Sequence, residues 1–129
     1  MITGTGIDIV EIVRIERSLE KFGQKFAERI LTPTELAAFE VFAAAPLKAR
    51  YLAKRFAMKE AASKALGTGI GQGVSWQDFT TFNNDAGAPQ LQLAGVAKDR
   101  AAQLDIVNAQ VSVSDEQNYV VAMVMLESR

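Results

Sequence analysis

Two carboxylates in this sequence have the chemistry to hold a hard metal ion. Asp8 lies in a run of β-branched residues, where burying a lone carboxylate is costly. Glu60 lies at the edge of the apolar face of a long predicted helix, with Lys64 four residues further on. Mg2+ takes oxygen ligands and is often bound through one or two carboxylates. Structural alternatives stay open: Asp8 could face water or cap the next helix, and Glu60–Lys64 could be an ordinary helix ion pair.

The composition restricts the chemistry further. The 129 residues contain no cysteine and no histidine. Disulfides, zinc–thiolate sites and thiol nucleophiles are therefore excluded, as is the commonest general base. Any catalysis must use carboxylates, hydroxyls, Lys, Arg, Tyr or a hard cation. A formal net charge of −1 also argues against a general nucleic-acid binder, which normally has a strong basic excess.

Basic residues are concentrated in two places despite the near-neutral total. Arg14, Arg17 and Lys21 fall on one predicted helix, as either a solvated face or a docking surface for an acidic partner. The glycine-rich segment 67–73 is not a P-loop, because it lacks Gly-Lys-Ser/Thr and follows a helix. The other basic stretch could meet an anionic ligand and contains Lys48, Arg50, Lys54, Arg55, Lys59 and Lys64.

The first half of the chain is predicted to be one strand and then helices. Gly4 and Gly6 inside a strand indicate close approach by another backbone or a ligand. Thr32-Pro33-Thr34-Glu35 has the form of a capping box, and Gly67 is a plausible helix end. The pattern predicts a strand over 1–10 and helices over 11–22, 25–31, 33–43 and 47–66.

The second half is predicted to be mostly strands. They are expected over 74–83, 90–93, 107–114 and 119–126, with a helix over 95–104. The order predicts an α+β fold with a mostly antiparallel sheet packed against a long central helix. The length indicates a single domain over 1–129. No leader peptide and no membrane-spanning run is evident, so a cytoplasmic location without membrane contact is expected.

Two segments together resemble the motifs of holo-acyl-carrier-protein synthases. The first is Gly-Ile-Asp-Ile-Val-Glu-Ile over 6–12, followed by Arg14-Ile15. The second, stronger one is Leu-Ala-Lys-Arg-Phe-Ala-Met-Lys-Glu-Ala over 52–61, followed by Lys64-Ala65 and Gly-Thr-Gly-Ile over 67–70. A Gly-Ala-Pro turn at 87–89 and the closing strand also fit, so the similarity covers essentially the whole chain.

The resemblance implies a 4'-phosphopantetheinyl transferase fold, trimer-forming, with an active site at each subunit interface. It implies Mg2+-dependent transfer of 4'-phosphopantetheine from coenzyme A to a serine of apo acyl carrier protein. This step of fatty acid biosynthesis releases adenosine 3',5'-bisphosphate. Asp8 and Glu60 match the metal ligands and, with Lys64, the catalytic residues. The positions matching the coenzyme A-binding region are Arg55, Lys64, Gly67, Thr68, Gly69, Ile70 and Pro89. Arg14, with Arg17 nearby, matches the helix on which an acidic carrier docks.

One position departs from the family's pattern. Many relatives have Ser-x-Ser-His on the penultimate strand, whereas this chain has Ser112-Val113-Ser114-Asp115. The group that takes the serine proton stays open between Glu60, a metal-associated water and a carboxylate of the carrier. Spacing alone does not distinguish Mg2+ from Mn2+.

Two other functions stay open. A non-catalytic carrier-binding scaffold would be expected to have drifted at Asp8, Glu60 or Lys64, and all three are present. A hydrolase of nucleotide diphosphates with the same metal site would release adenosine bisphosphate without any carrier.

Overall fold

The computed structural model describes residues 1–129 and confirms the α+β class. The first half comprises β1 (Ile2–Glu11), α1 (Ile12–Phe22), α2 (Gln24–Ile30), α3 (Pro33–Val41) and α4 (Ala45–Ala65). The second half comprises β2 (Phe79–Asn83), β3 (Pro89–Leu93), α5 (Gly95–Gln103), β4 (Ile106–Asp115) and β5 (Tyr119–Ser128). No helix combines the length and the apolar character needed to cross a membrane.

The strand predicted over 74–83 is wrong in its first half. The Gln77 backbone N–H donates to Ser75 Oγ at 3.0 Å, which starts a short 3₁₀ helix over Trp76–Asp78. A serine side chain competes in this way with the backbone pairing of a strand. Strand β2 therefore begins at Phe79, and Trp76 lies outside the sheet. The other predicted elements are present with only their ends shifted.

The strands form two antiparallel sheets. One has the order β1-β5-β4 and the other pairs β2 with β3. Helix α4 packs along one face of the three-stranded sheet, and its buried residues are largely alanines. This arrangement confirms the predicted packing of an antiparallel sheet against a long central helix.

The contact between β1 and α4 is unusually close because two glycines of the strand meet the backbone of the helix. A Cβ atom at Gly4 would overlap the Ala65 carbonyl oxygen, and one at Gly6 would overlap the Ala61 carbonyl oxygen. The close approach predicted for both glycines is thereby confirmed, and the approaching group is the α4 backbone. Asp8 of β1 is consequently held near the middle of α4.

A buried ion pair connects the helices to β2. Lys59 is fully buried, and its Nζ donates to Glu35, to the Ile30 carbonyl oxygen at 2.6 Å and to the Trp76 carbonyl oxygen at 3.1 Å. The second Glu35 oxygen accepts from the Thr81 backbone N–H at 2.9 Å. Burial lowers the pKa of Lys59, although the Glu35 carboxylate opposes this shift. Its place in the basic stretch suggested that Lys59 could meet an anionic ligand. Lys59 is not available for this, because its hydrogen-bond donors are used inside the protein.

We expect Gly6→Ala to lower the free energy of unfolding by about 3 kcal/mol, because the added methyl group must push β1 away from α4. Thr5→Ala changes the adjacent exposed position and should cost no more than about 0.5 kcal/mol. Urea unfolding of both variants measures the difference. Equal stability of the two would contradict the close contact.

Candidate functional site

Asp8 and Glu60 line the same cavity, which has a volume of about 440 Å³. Asp8 comes from β1 and Glu60 from α4, so the glycine-mediated contact between these elements brings the two carboxylates together. Arg14 of α1 lines the cavity as well. The structure therefore unites both predicted metal ligands with a residue of the predicted docking helix.

The environment of Glu60 sets its pKa. Burial raises this pKa, the hydrogen bond from Trp76 lowers it, the Asp8 charge raises it and the Lys64 charge lowers it; the net direction is upward. The Trp76 Nε1–H donates to Glu60 Oε1 at 3.2 Å. The raised pKa means that the ionised form of Glu60 is destabilised in this environment. A cation between Glu60 and Asp8 would stabilise the ionised form.

Lys64 pairs with Asp8 and not with Glu60. Its Nζ donates to Asp8 Oδ1 at 3.1 Å and to the Ile7 carbonyl oxygen at 3.0 Å. The Asp8 side chain is only 16% exposed, whereas that of Lys64 is 48% exposed. Asp8 is therefore neither turned to water nor a helix cap, and the Glu60–Lys64 pair considered above is not formed.

The donor set fits a hard cation that keeps part of its coordination for water and substrate. No three residues among His, Cys, Asp and Glu come together in the way that an all-protein metal cage requires. Two carboxylates suffice for Mg2+, because this ion commonly completes its shell with water and phosphate oxygens. The Lys64 ammonium beside Asp8 shows that this position already attracts a positive charge.

The glycine-rich segment is hydrogen-bonded to the end of α4. The backbone N–H groups of Thr68 and Gly69 both donate to the Ser63 carbonyl oxygen, at 3.2 and 3.1 Å. Arg100 of α5 donates to the Leu66 carbonyl oxygen at 3.1 Å. Gly67 and Gly69 have φ angles of 81° and 63°, which glycine adopts without strain. The Gly67–Ile70 segment thus follows Lys64 directly at the end of the same helix.

Arg55 and Pro89 lie away from the carboxylates within one chain. A helix turns by about 100° per residue, so Arg55 is displaced by roughly 140° from Glu60 around the α4 axis. Its guanidinium donates to Thr81 Oγ1 at 3.2 Å, and its Nε is buried without a hydrogen-bond partner. Pro89 begins β3 opposite Asn83. Within one chain, Arg55 therefore lies on a different face of α4 from Glu60 and Lys64, because spacing along a helix also sets the face.

A second cavity, of about 630 Å³, is lined by Arg55 and not by the two carboxylates. Arg55 lines it together with Arg50, Lys54 and Asn83. Asp115 bridges two of these cations, at 2.8 Å to Arg50 and 3.2 Å to Lys54. Burial alone would raise the pKa of Asp115, but hydrogen bonds and charges from Arg50 and Lys54 outweigh it and lower the pKa. Asp115, which stands where many relatives have histidine, is therefore an ion-paired carboxylate and a weak proton acceptor.

Sequence reasoning missed Trp76 and the Arg50–Asp115 pair as parts of these sites. Trp76 was assigned to the apolar pattern of a strand, and nothing in its spacing connected it to Glu60. Arg50 and Asp115 are far apart in sequence, so only the fold reveals their ion pair. Arg14 and Arg17 are both exposed on α1, as expected for a docking helix.

Comparison with known proteins gives consistent matches along the chain. The 4'-phosphopantetheinyl transferase superfamily model ACPS matches residues 4–124. Holo-[acyl-carrier-protein] synthase of Vibrio cholerae serotype O1 is 54% identical over 129 residues, which is 100% of both chains. The Vibrio vulnificus protein of the same name is 54% identical over 127 residues, 98% of each chain.

Solved structures give the same match. Holo-[acyl-carrier-protein] synthase of Neisseria meningitidis has a TM-score of 0.90 at 41% identity, covering 99% of this chain and 100% of that chain. The Bacillus anthracis enzyme, solved in complex with CoA (3',5'-ADP), has a TM-score of 0.84 at 40% identity, with 100% and 99% covered. The resemblance inferred from the two sequence motifs is thereby confirmed. This chain belongs to the 4'-phosphopantetheinyl transferase superfamily and, within it, to the holo-acyl-carrier-protein synthase family.

Proposed function

We propose that this chain transfers 4'-phosphopantetheine from coenzyme A to a serine of apo acyl carrier protein and releases adenosine 3',5'-bisphosphate. The observation that supports this most directly is the convergence of Asp8, Glu60 and Arg14 on one cavity. The Bacillus anthracis relative, which was solved with CoA (3',5'-ADP), supports the choice of donor. The proposal includes residues 1–129 as one catalytic unit, acting in fatty acid biosynthesis in the cytoplasm.

Asp8 and Glu60 would hold Mg2+, and Mg2+ when bound neutralises charge on the coenzyme A diphosphate. Lys64 now compensates the Asp8 charge at 3.1 Å. With Asp8 holding the cation, the half-exposed Lys64 side chain would be free to turn its ammonium toward phosphate oxygens. The Gly67–Ile70 backbone follows the end of α4 and would supply further surface for the donor.

Among the chain's own groups, Glu60 is the better candidate for taking the serine proton. It lines the cavity that the predicted docking helix also lines, and in the metal-free chain burial raises its pKa. The pKa of Asp115 is lowered by two cations, which makes that carboxylate a poor acceptor. Arg14 lines the cavity beside Glu60, and Arg17 is exposed nearby on α1, so an acidic carrier docked on α1 would bring its serine to Glu60.

A homotrimer with shared active sites would reconcile the two separated groups of predicted residues. The face of the three-stranded sheet opposite α4 exposes a group of apolar side chains, namely Ile7, Ile9, Val121 and Met123. Such a contiguous apolar face is typical of a protein interface. A second copy packed there could bring its own Arg55 cavity toward the Asp8–Glu60 cavity, giving the anionic coenzyme A cations from both subunits.

The first expected outcome concerns the reaction itself. Incubation with coenzyme A, Mg2+ and an apo acyl carrier protein should add one phosphopantetheine to the carrier, as measured by its intact mass. A chelator should abolish this gain in mass, because without Mg2+ the charge on the phosphates of coenzyme A is no longer neutralised. An unchanged carrier with folded enzyme would favour the scaffold function. Release of adenosine bisphosphate without carrier would favour the hydrolase.

Glu60→Gln should separate activity from stability. Loss of a metal ligand should reduce transfer by about 100-fold or more. Because the folded-state pKa of Glu60 is raised, its ionisation destabilises the fold; the penalty is full above that raised pKa and absent below the unfolded value. The metal-free variant should therefore be more stable than the native chain at pH 7 and equally stable near pH 4.

The control for this variant is Glu40→Gln, an exposed change on α3 that should leave both properties unchanged. Transfer is measured by carrier mass and stability by urea unfolding in chelator. Full activity of Glu60→Gln would refute the role of Glu60 as a metal ligand. Reduced stability of this variant at pH 7 would contradict the inference that ionised Glu60 destabilises the fold.

Met123→Glu should dissociate the trimer, because it places a charge in the middle of the apolar sheet face. Light scattering should give a trimer mass for the native chain and a monomer mass for this variant. Val96→Glu alters an equally exposed apolar residue on α5 and should stay trimeric. An active native monomer, or an unchanged Met123→Glu trimer, would overturn the proposed interface.

A further inference from the structure

We propose that Trp76 is a positioning residue for the metal site: its indole N–H fixes the Glu60 carboxylate for the cation. The inference rests on the proposed function and adds a residue outside both sequence motifs. The buried Lys59–Glu35 pair in turn fixes the backbone of Trp76.

The direct contact is one hydrogen bond. Trp76 Nε1 donates to Glu60 Oε1 at 3.2 Å, and the indole has no other donor. The other Glu60 oxygen, Oε2, and the second lone pair of Oε1 stay free for a metal ion. The bond therefore restricts the rotation of the carboxylate without consuming its ability to coordinate.

The indole ring itself is held from two sides. Phe56 lies one helical turn before Glu60. Its ring packs against the Trp76 indole, with ring centroids 6.0 Å apart and planes inclined by 31°. The Arg29 guanidinium of α2 lies 5.5 Å from the centre of the indole ring. These contacts fix the direction in which the indole N–H points.

The backbone of Trp76 is held by the residue that precedes Glu60. Lys59 Nζ donates to the Trp76 carbonyl oxygen at 3.1 Å, while Ile30 and Glu35 accept its other hydrogen bonds. Two consecutive residues of α4 thus form hydrogen bonds with Trp76, Lys59 with its main chain and Glu60 with its side chain. The buried Lys59–Glu35 pair thereby also restrains the main chain at Trp76.

A neutral donor suits this position better than a cation would. Asp8 repels Glu60, and Lys64 is engaged with Asp8, so Glu60 needs another group to keep it in the cavity. A lysine or arginine bound to Glu60 would compete with the metal ion for the carboxylate. The indole N–H holds the carboxylate without bringing a full positive charge.

The test compares Trp76→Phe, which keeps an aromatic ring and loses the N–H, with Trp76→Leu, which loses both. The probe is Mn2+, which suits the same oxygen ligands as Mg2+ and is counted by electron paramagnetic resonance in the presence of coenzyme A. If the N–H positions Glu60, both variants should bind Mn2+ about 10-fold more weakly, as is typical when a partner of a metal ligand is lost.

Three further readouts define the outcome. In the native chain, Mn2+ should quench tryptophan fluorescence, because Trp76 contacts the proposed metal ligand Glu60. The signal is specific, since Trp76 is the only tryptophan. In Trp76→Phe, the Mg2+ concentration for half-maximal transfer should rise about 10-fold, while the KM for the carrier stays native. Urea unfolding checks that both variants fold.

Native Mn2+ affinity in Trp76→Phe, with weak binding only in Trp76→Leu, would reduce Trp76 to packing and overturn the inference. Native affinity in both variants would overturn it as well. Failure of the proposed function is recognised separately, because the native chain would then transfer nothing to the carrier, whereas the Mn2+ comparison does not depend on transfer.

Discussion

The backbone contact between β1 and α4 is the constraint on which the site depends. Gly4 and Gly6 allow the strand to lie directly on the carbonyl groups of Ala61 and Ala65, with no side chain between them. Asp8, two residues beyond Gly6, then reaches the same cavity as Glu60. Larger residues at the two glycines would push β1 away from α4 by the width of a side chain. Asp8 and Glu60 would then lie further apart.

The same contact creates an electrostatic problem that the surrounding residues moderate. Two carboxylates near each other, one of them with a raised pKa, destabilise the metal-free protein. Lys64 compensates Asp8 from the exposed side, and Trp76 restrains Glu60 from the buried side. Keeping both carboxylates in one cavity thus costs part of the free energy of folding, and the proposed cation would offset that cost.

The buried Glu35–Lys59 pair links this site to the rest of the fold. It joins the ends of α2 and α3 to α4 and β2, and through the Trp76 carbonyl it reaches the residue that contacts Glu60. Sequence analysis assigned Glu35 to a capping box, and its carboxylate does accept from the Thr32 N–H at 2.8 Å. It could not show that the same carboxylate also pairs with Lys59, since that pairing requires α3 to lie beside α4.

The sequence by itself determined most of the elements, the family and the two carboxylates that we propose as metal ligands. These follow from local patterns: alternation, helical spacing, capping residues, two motifs and the absence of histidine and cysteine. Only the tertiary structure decided which partners those residues have. It paired Lys64 with Asp8, moved Arg55 to another cavity and turned Trp76 out of the predicted strand toward Glu60. The reason is that a linear pattern specifies spacing along one element, whereas partners are set by which faces of different elements pack together.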